Sequence, residues 1–200
     1  MFWDRVSGVY DLFGYIYNGK VNRIMCRVIR DHINETDDVL ECACGTGMIS
    51  AEIAGKCRSL KATDFSKGMI KQAERKLRKY PNVSVESADI THLSYPDESF
   101  DSVIAANVIH LLDDPAQALS ELFRVCRKGG MVIIPTYVNH ENTGKVNAVT
   151  ETIGKAGADF QRQFTFSNYR NFFEQAGYRV SEIHSIPGRV PCAIAVIIKE

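Results

Sequence analysis

Val39-Leu40-Glu41-Cys42-Ala43-Cys44-Gly45-Thr46-Gly47 is the stretch on which the fold of this chain turns. An apolar run ends in a Gly-x-Gly turn, and a helix-forming segment follows to about residue 56. That order is how an open α/β sheet brings its main chain against a nucleotide-like ligand. Glycine reaches positive φ without strain and removes the Cβ that would meet the ligand. Asp37 and Asp38 open the strand, which is expected over 39–43.

Downstream, the same unit repeats. A short strand over 60–63 ends at Asp64, and Ser66 can cap a helix whose apolar face is Met69, Ile70, Ala73 and Leu77. Pro81 closes that helix, and Val83–Ser87 alternates as a third strand. Residues 100–106 read as a fourth strand. Asp114-Pro115 then starts a helix with Ala118, Leu119, Leu122, Phe123 and Cys126 inward. Arg127 and Lys128 suit the negative end of that helix, Gly129 ends it, and residues 131–137 form a fifth strand. Ser167 is the expected cap of the last helix, with Tyr169, Phe172, Phe173 and Ala176 inward. Residues 178–186 and 192–198 make two closing strands joined at Pro187-Gly188. Repeated βα units require a parallel sheet covered on both faces, and so short a final turn makes the closing pair antiparallel.

Upstream, Val6, Val9, Tyr10, Phe13, Ile16 and Tyr17 recur at three- and four-residue intervals. Gly19 interrupts, and a second helix carries Val21, Ile24, Met25, Val28 and Ile29. The expected organisation is one domain over 1–200. It has an N-terminal helical lid (1–33), a ligand-binding core (38–137), a substrate-side insertion (138–165) and a C-terminal helix with a β-hairpin (166–200). The insertion is polar and reads as one helix and a loop.

Composition narrows the classes of function. Lysine plus arginine and aspartate plus glutamate are both 24, so no general attraction to nucleic acid or anionic membrane is advertised. No run approaches the ~18 apolar residues of a membrane span. Met1 to Ser7 lacks a basic-then-apolar leader, which points to a cytoplasmic protein. Six cysteines lie mostly in apolar segments without CxxC pairs, so they read as reduced core residues. Cys42 and Cys44 flank a single residue with no second pair, and no metal site is expected.

Five ordered segments carry a family resemblance. They are Glu41-Cys42-Ala43-Cys44-Gly45-Thr46-Gly47, Ala62-Thr63-Asp64-Phe65-Ser66, Ala88-Asp89-Ile90, Phe100-Asp101-Ser102-Val103-Ile104-Ala105-Ala106-Asn107, and Arg127-Lys128-Gly129-Gly130. With Trp3 to Leu12, they make the chain resemble the class I S-adenosylmethionine-dependent methyltransferases. Within these it is similar to the ubiquinone/menaquinone-biosynthesis-type group that acts on small molecules. The resemblance implies a three-layer, Rossmann-like sheet of seven strands, mostly parallel with an antiparallel last strand, plus N-terminal helices. It implies S-adenosyl-L-methionine as cofactor and S-adenosyl-L-homocysteine as product. One position departs from the pattern: the family often has glycine where this chain has Ala43, a change that a negative φ would tolerate.

The parts of that cofactor need different chemistry. Backbone at Ala43, Cys44, Gly45 and Gly47 can approach the methionine end, and Glu41 can attract its ammonium. Asp64 suits the ribose hydroxyls. Asp89 can accept from the adenine amino group, with Ile90, Phe65 and Met69 around the ring. Asn107 is near the reacting sulfonium in the family. His110 and Tyr10 are the candidate catalytic residues, His110 as a base, with His140 second. His32, His92 and His184 read as surface or capping residues. Phe13, Tyr17, Tyr137 and Phe164 offer further aromatic walls for a small-molecule acceptor. Two other readings share the fold signal. A nicotinamide-dependent oxidoreductase would use the same glycines, but Ser50 replaces the third one and no Tyr-x-x-x-Lys pair exists. A non-catalytic S-adenosylmethionine-binding module would keep Asp64 and Asp89 without turnover.

Overall fold

The elements in chain order are α1 (Tyr10–His32), β1 (Asp38–Cys42), α2 (Met48–Ile53), β2 (Ser59–Asp64), α3 (Lys67–Leu77), β3 (Val83–Ser87), β4 (Phe100–Ala105), α4 (Pro115–Val125), β5 (Cys126–Tyr137), α5 (Phe166–Gln175), β6 (Glu182–Ile186) and β7 (Cys192–Ile198). They belong to a computed structural model that describes Asp4, residues 10–140 and residues 161–200. The seven strands form one sheet in the order β3-β2-β1-β4-β5-β7-β6. All pairs from β3 to β5 are parallel, and β7 is antiparallel to both β5 and β6. The mostly parallel sheet with an antiparallel last strand is therefore the observed one.

Helices cover both faces, which is why the central strands are apolar on both sides. On one face Met25, Ile29 and Ile33 meet Ile49, Ile53, Val39, Ile104, Ile133 and Ile194. On the other, Leu119, Leu122, Tyr169 and Phe173 pack on Val103, Val132, Ile134, Ala193 and Ala195. Successive residues such as Val132, Ile133 and Ile134 thus serve opposite layers. Each fully buried aliphatic side chain contributes about 1.5–3 kcal/mol.

Several boundaries differ from expectation, each for a tertiary reason. The N-terminal helical segments run on as a single element with a kink at Asn18 (φ −141°, ψ 19°) rather than a break at Gly19. Asn18 Nδ2 donates to the Val190 carbonyl at 2.9 Å, so its side chain serves the turn before β7. α2 stops at Ile53 instead of running to residue 56, because Asn82 Nδ2 takes the Ala54 and Cys57 carbonyls at 2.8 and 3.0 Å. Arg127 and Lys128 are not at a helix end: β5 begins at Cys126. Arg127 instead donates to Asp101 at 2.6 Å, and Gly130 runs so close that a Cβ there would lie 2.5 Å from the Asp101 carbonyl. The last helix is capped from Thr165, whose N–H donates to Asn168 Oδ1 at 2.9 Å, not from Ser167. β6 begins at Glu182 rather than at residue 178, since Arg170 occupies the Val180 carbonyl at 2.9 Å.

Candidate active site

Because β1, β2 and β4 are parallel and in register, their carboxyl ends open on one rim. β1 lies between β2 and β4, so the chain's path reverses across the sheet beside it. That switch point is where open α/β sheets form their ligand crevice.

The turn after β1 holds three left-handed residues: Ala43 (φ 54°), Gly45 (φ 57°) and Gly47 (φ 80°). The two glycines answer different demands. A Cβ at Gly47 would lie 3.0 Å from Leu77 Cδ1, so this glycine lets the turn sit on α3. A Cβ at Gly45 would have no described atom within 4 Å, so this glycine presents bare main chain to open space. Ala43 corrects an expectation: its φ is positive, the conformation that costs a Cβ-bearing residue roughly 1–2 kcal/mol.

Glu41, on β1 just below the turn, is 1% exposed. Ser50 Oγ from α2 donates to its Oε2. Burial pushes the Glu41 carboxyl up to about 8; the Asp64 charge adds to this, while the Ser50 hydrogen bond and Lys76 oppose it. A buried acid poised near neutrality is a natural partner for an incoming cation. Across the turn, Lys76 Nζ donates to Thr46 Oγ1 at 3.2 Å.

Asp64 ends β2 and faces the turn. Its Oδ2 accepts from the Gly45 N–H and its Oδ1 from the Ser66 N–H, both at 2.8 Å. Burial lifts its pKa above the ordinary carboxylate value despite these bonds. Two lone-pair positions per oxygen leave acceptor capacity for a diol. Ser66 Oγ caps α3 by accepting from the Met69 N–H at 3.2 Å, and it donates to Asp4 at 2.6 Å. Asp4 also accepts from the Gly68 N–H at 2.9 Å, so one residue of the N-terminal segment sits on this rim.

Beyond β3, Asp89 Oδ1 accepts from the N–H and hydroxyl of Thr91 at 2.9 and 2.7 Å, which hold the carboxyl below its ordinary range. Phe65 is 59% exposed, a large apolar ring standing at the rim, whereas Met69 and Ile90 are buried. Asn107, after β4, has φ 52°. Its Oδ1 accepts from the Tyr137 N–H at 2.9 Å and its N–H donates to the Pro135 carbonyl at 2.8 Å. This side chain therefore fixes the β4–β5 mouth.

His110 lies in the next turn, 7% exposed, and burial holds its ring down to about 4. The ring is neutral at physiological pH and a weaker base than free imidazole. Arg162 donates to the carbonyls of His110 (through its N–H, 3.1 Å) and Leu112 (through Nη1, 2.6 Å), joining the segment before α5 to this turn. His140 is exposed after β5. Tyr137 donates its hydroxyl to Asn22 at 2.5 Å, and Phe164 packs edge-on against Tyr169. The side chains of Tyr10, Phe13 and Tyr17, and most of the expected insertion (141–160), lie outside the described residues.

Sequence reading misses Ser50, Lys76, Asp4 and Arg162. Ser50 reads in the sequence only as a missing third glycine; its hydroxyl is what reaches Glu41. Lys76 and Arg162 act across 30 and 50 residues, where no local pattern points. All six cysteines are free and buried, and burial pushes Cys42 up to about 12, so these thiols fill core as expected.

The rim thus combines bare backbone at Gly45, a buried acid at Glu41 and an acceptor at Asp64. These features fit an adenosyl ligand that carries an ammonium and a ribose diol. The "Methyltransferase domain" family model matches residues 40–134. Phosphatidylethanolamine N-methyltransferase from Cereibacter sphaeroides is 33% identical over 161 residues, covering 76% of this chain and 77% of that protein. Demethylmenaquinone methyltransferase from Clavibacter sepedonicus is 36% identical over 136 residues, covering 66% of this chain; the chain spans 55% of that enzyme's length. A solved S-adenosylmethionine-dependent methyltransferase from Thermotoga maritima shares the fold with a TM-score of 0.75 at 17% identity, covering 100% of this chain and 99% of that one. The chain belongs to the class I S-adenosylmethionine-dependent methyltransferases, in the neighbourhood of their menaquinone-type group.

Proposed function

We propose that this chain transfers the methyl group of S-adenosylmethionine to a small-molecule acceptor held over the β1–β4 mouth. The observation that carries the site assignment is the buried, near-neutral Glu41 beneath the open backbone of Gly45, with Asp64 on the adjacent strand. In this reading Glu41 holds the ammonium, and its cost of ionisation is met by that charge. Asp64 accepts from the ribose hydroxyls while its other bonds keep it fixed to Gly45 and Ser66. Asp89 accepts from the adenine amino group, and Phe65 gains a partner for its exposed ring.

When bound, the cofactor supplies a methyl already activated by its cationic sulfur. The chain's own task is placement: an acceptor held ~3 Å from the methyl and aligned with it gains most of its rate from proximity. Asn107 shapes the mouth through Tyr137. Neutral His110 accepts the acceptor's proton at an imidazole nitrogen where the nucleophile needs a base. A partly apolar acceptor suits Tyr137 at that mouth. The reading places the enzyme in the cytoplasm; no helix among the described residues is long and apolar enough to cross a membrane.

A methyl-labelled transfer assay against quinols, aminolipids, small amines and phenols tests this. The expected result is label in one acceptor class, with kcat in His110→Ala reduced ~100-fold or more. Homocysteine-product binding without transfer to any acceptor would make the chain a silent binding module. Unchanged kcat in His110→Ala would remove the base.

A further inference from the structure

Two histidines and a glutamate meet on the far side of the sheet from the glycine turn. His32 closes α1, while Glu182 and His184 stand two residues apart on β6 and so share one face of it. β6 is the last strand of the sheet. It is antiparallel to β7, which is antiparallel to β5, so β6 runs in the same sense as β1 and Glu182 begins it. The cluster therefore lies toward the amino ends of the strands, whereas Asp64 and the glycine turn lie at the carboxyl ends.

Three details distinguish this cluster from scattered surface charge. One ligand atom from each residue lies within 4.8 Å of the other two. His32 Nε2 and His184 Nε2 lie 3.4 and 3.1 Å from the same oxygen, Glu182 Oε2. Bonds of about 2.0–2.2 Å in a tetrahedral zinc site place neighbouring ligand atoms about 3.3–3.5 Å apart. The two nitrogen–oxygen spacings lie close to that range.

The orientation of His32 is the second clue. Its Nδ1 lies 2.8 Å from the Val28 carbonyl, which can only accept, so Nδ1 carries the hydrogen. Nε2 is the nitrogen left facing Glu182 Oε2. A backbone carbonyl bonded to the far nitrogen is also the usual outer support of a metal-bound histidine. Third, the rings stand edge to face, 5.4 Å apart and inclined at 81°, so their nitrogens approach the oxygen from different sides.

We propose that His32, Glu182 and His184 form a three-ligand site for a divalent ion of the zinc class, with water as the fourth ligand. The ion would clip the end of α1 to β6, the last strand of the sheet among the described residues. Its ligands come from segments 150 residues apart, which is why no spacing motif announces them. Surface accessibility is sufficient for loading: the Glu182 side chain is 55% and the His184 side chain 34% exposed.

The test uses the full chain without an affinity tag. Zinc chloride is titrated by calorimetry, and thermal unfolding is followed with and without zinc. One equivalent should bind and raise Tm. His184→Ala and Glu182→Gln should each weaken binding at least tenfold and abolish the Tm rise, while His92→Ala should not. Cobalt loading should give the visible absorption of a four-coordinate ion in the parent chain and lose it in Glu182→Gln, a conservative change at an exposed position. No zinc binding would overturn the proposal. Undiminished binding in both ligand variants would overturn it equally, because the ion would then sit elsewhere.

Discussion

Asp38 and Glu41 stand three residues apart on one strand and behave in opposite ways. Asp38, at the start of β1, is held down to about 2, chiefly by hydrogen bonds from Arg58. Around it Arg58, Arg127 and Asp101 form a solvated ion-pair network. Glu41, near the end of β1, is buried and pushed up to about 8. The lower edge of the sheet pairs its charges with one another; the upper edge holds a buried acid that accepts from the Ser50 hydroxyl. Positive φ does not follow that contrast: Ala43, Gly45, Gly47 and Asn107 have it at the upper rim, and Glu98 and Gly129 have it at the lower edge.

The sharpest way to break this comparison is at Asp64. Asp64→Asn keeps one carbonyl oxygen but loses the charge and one strong acceptor. Cofactor affinity should fall about 100-fold, near 3 kcal/mol, with the fold kept by circular dichroism. A loss below threefold would move the ribose elsewhere.

Glu41→Gln is expected to cut the other way on stability. In the unliganded chain the raised carboxyl is protonated while its unfolded counterpart is ionised. The parent therefore binds more protons when folded, and its stability falls as pH rises from about 4.5 to about 8. The glutamine variant lacks that slope. It should be about 1–3 kcal/mol more stable than the parent at pH 8 in urea titration, yet bind cofactor more weakly. Equal stability of the two proteins at both pH 5 and pH 8 would mean Glu41 is ionised at little cost.

At the lower edge the sign reverses. Asp38 has a depressed folded value, so its contribution is present above the unfolded value near 3.8 and is lost as pH falls toward 2. Solvent screening limits it: Asp38→Asn should lower stability by no more than about 1 kcal/mol at pH 7 and by progressively less as pH falls toward 2. Smallest of all, Ala43→Gly should relieve left-handed strain, offset by added freedom in the unfolded chain. A net gain of about 0.5 kcal/mol is expected in the same urea titration.

These contrasts also explain what the sequence could disclose. The carboxyl ends of the strands, the glycine turn and the positions of Asp64 and Asp89 just after strands are legible because each depends on neighbours within a few residues. Apolar periodicity places nearly every strand and helix, since burial on two faces leaves a local pattern. The errors come where a distant group decides the outcome. Arg127 and Lys128 look like helix-end cations, but Asp101 draws Arg127 into the strand. Val180 alternates correctly, yet Arg170 occupies its carbonyl. Ala43 carries no local mark of its positive φ. The His32, Glu182 and His184 cluster depends on the register of an edge strand against a helix terminus, which no spacing encodes.

Calorimetric titration of the purified chain with S-adenosylhomocysteine, repeated with Asp64→Asn and with NAD as comparison ligand, tests the central claim most directly. The account predicts one site of micromolar or tighter affinity for the homocysteine product, weakened about 100-fold in the variant, and no measurable heat with NAD. Saturable NAD binding with no response to S-adenosylhomocysteine would contradict it.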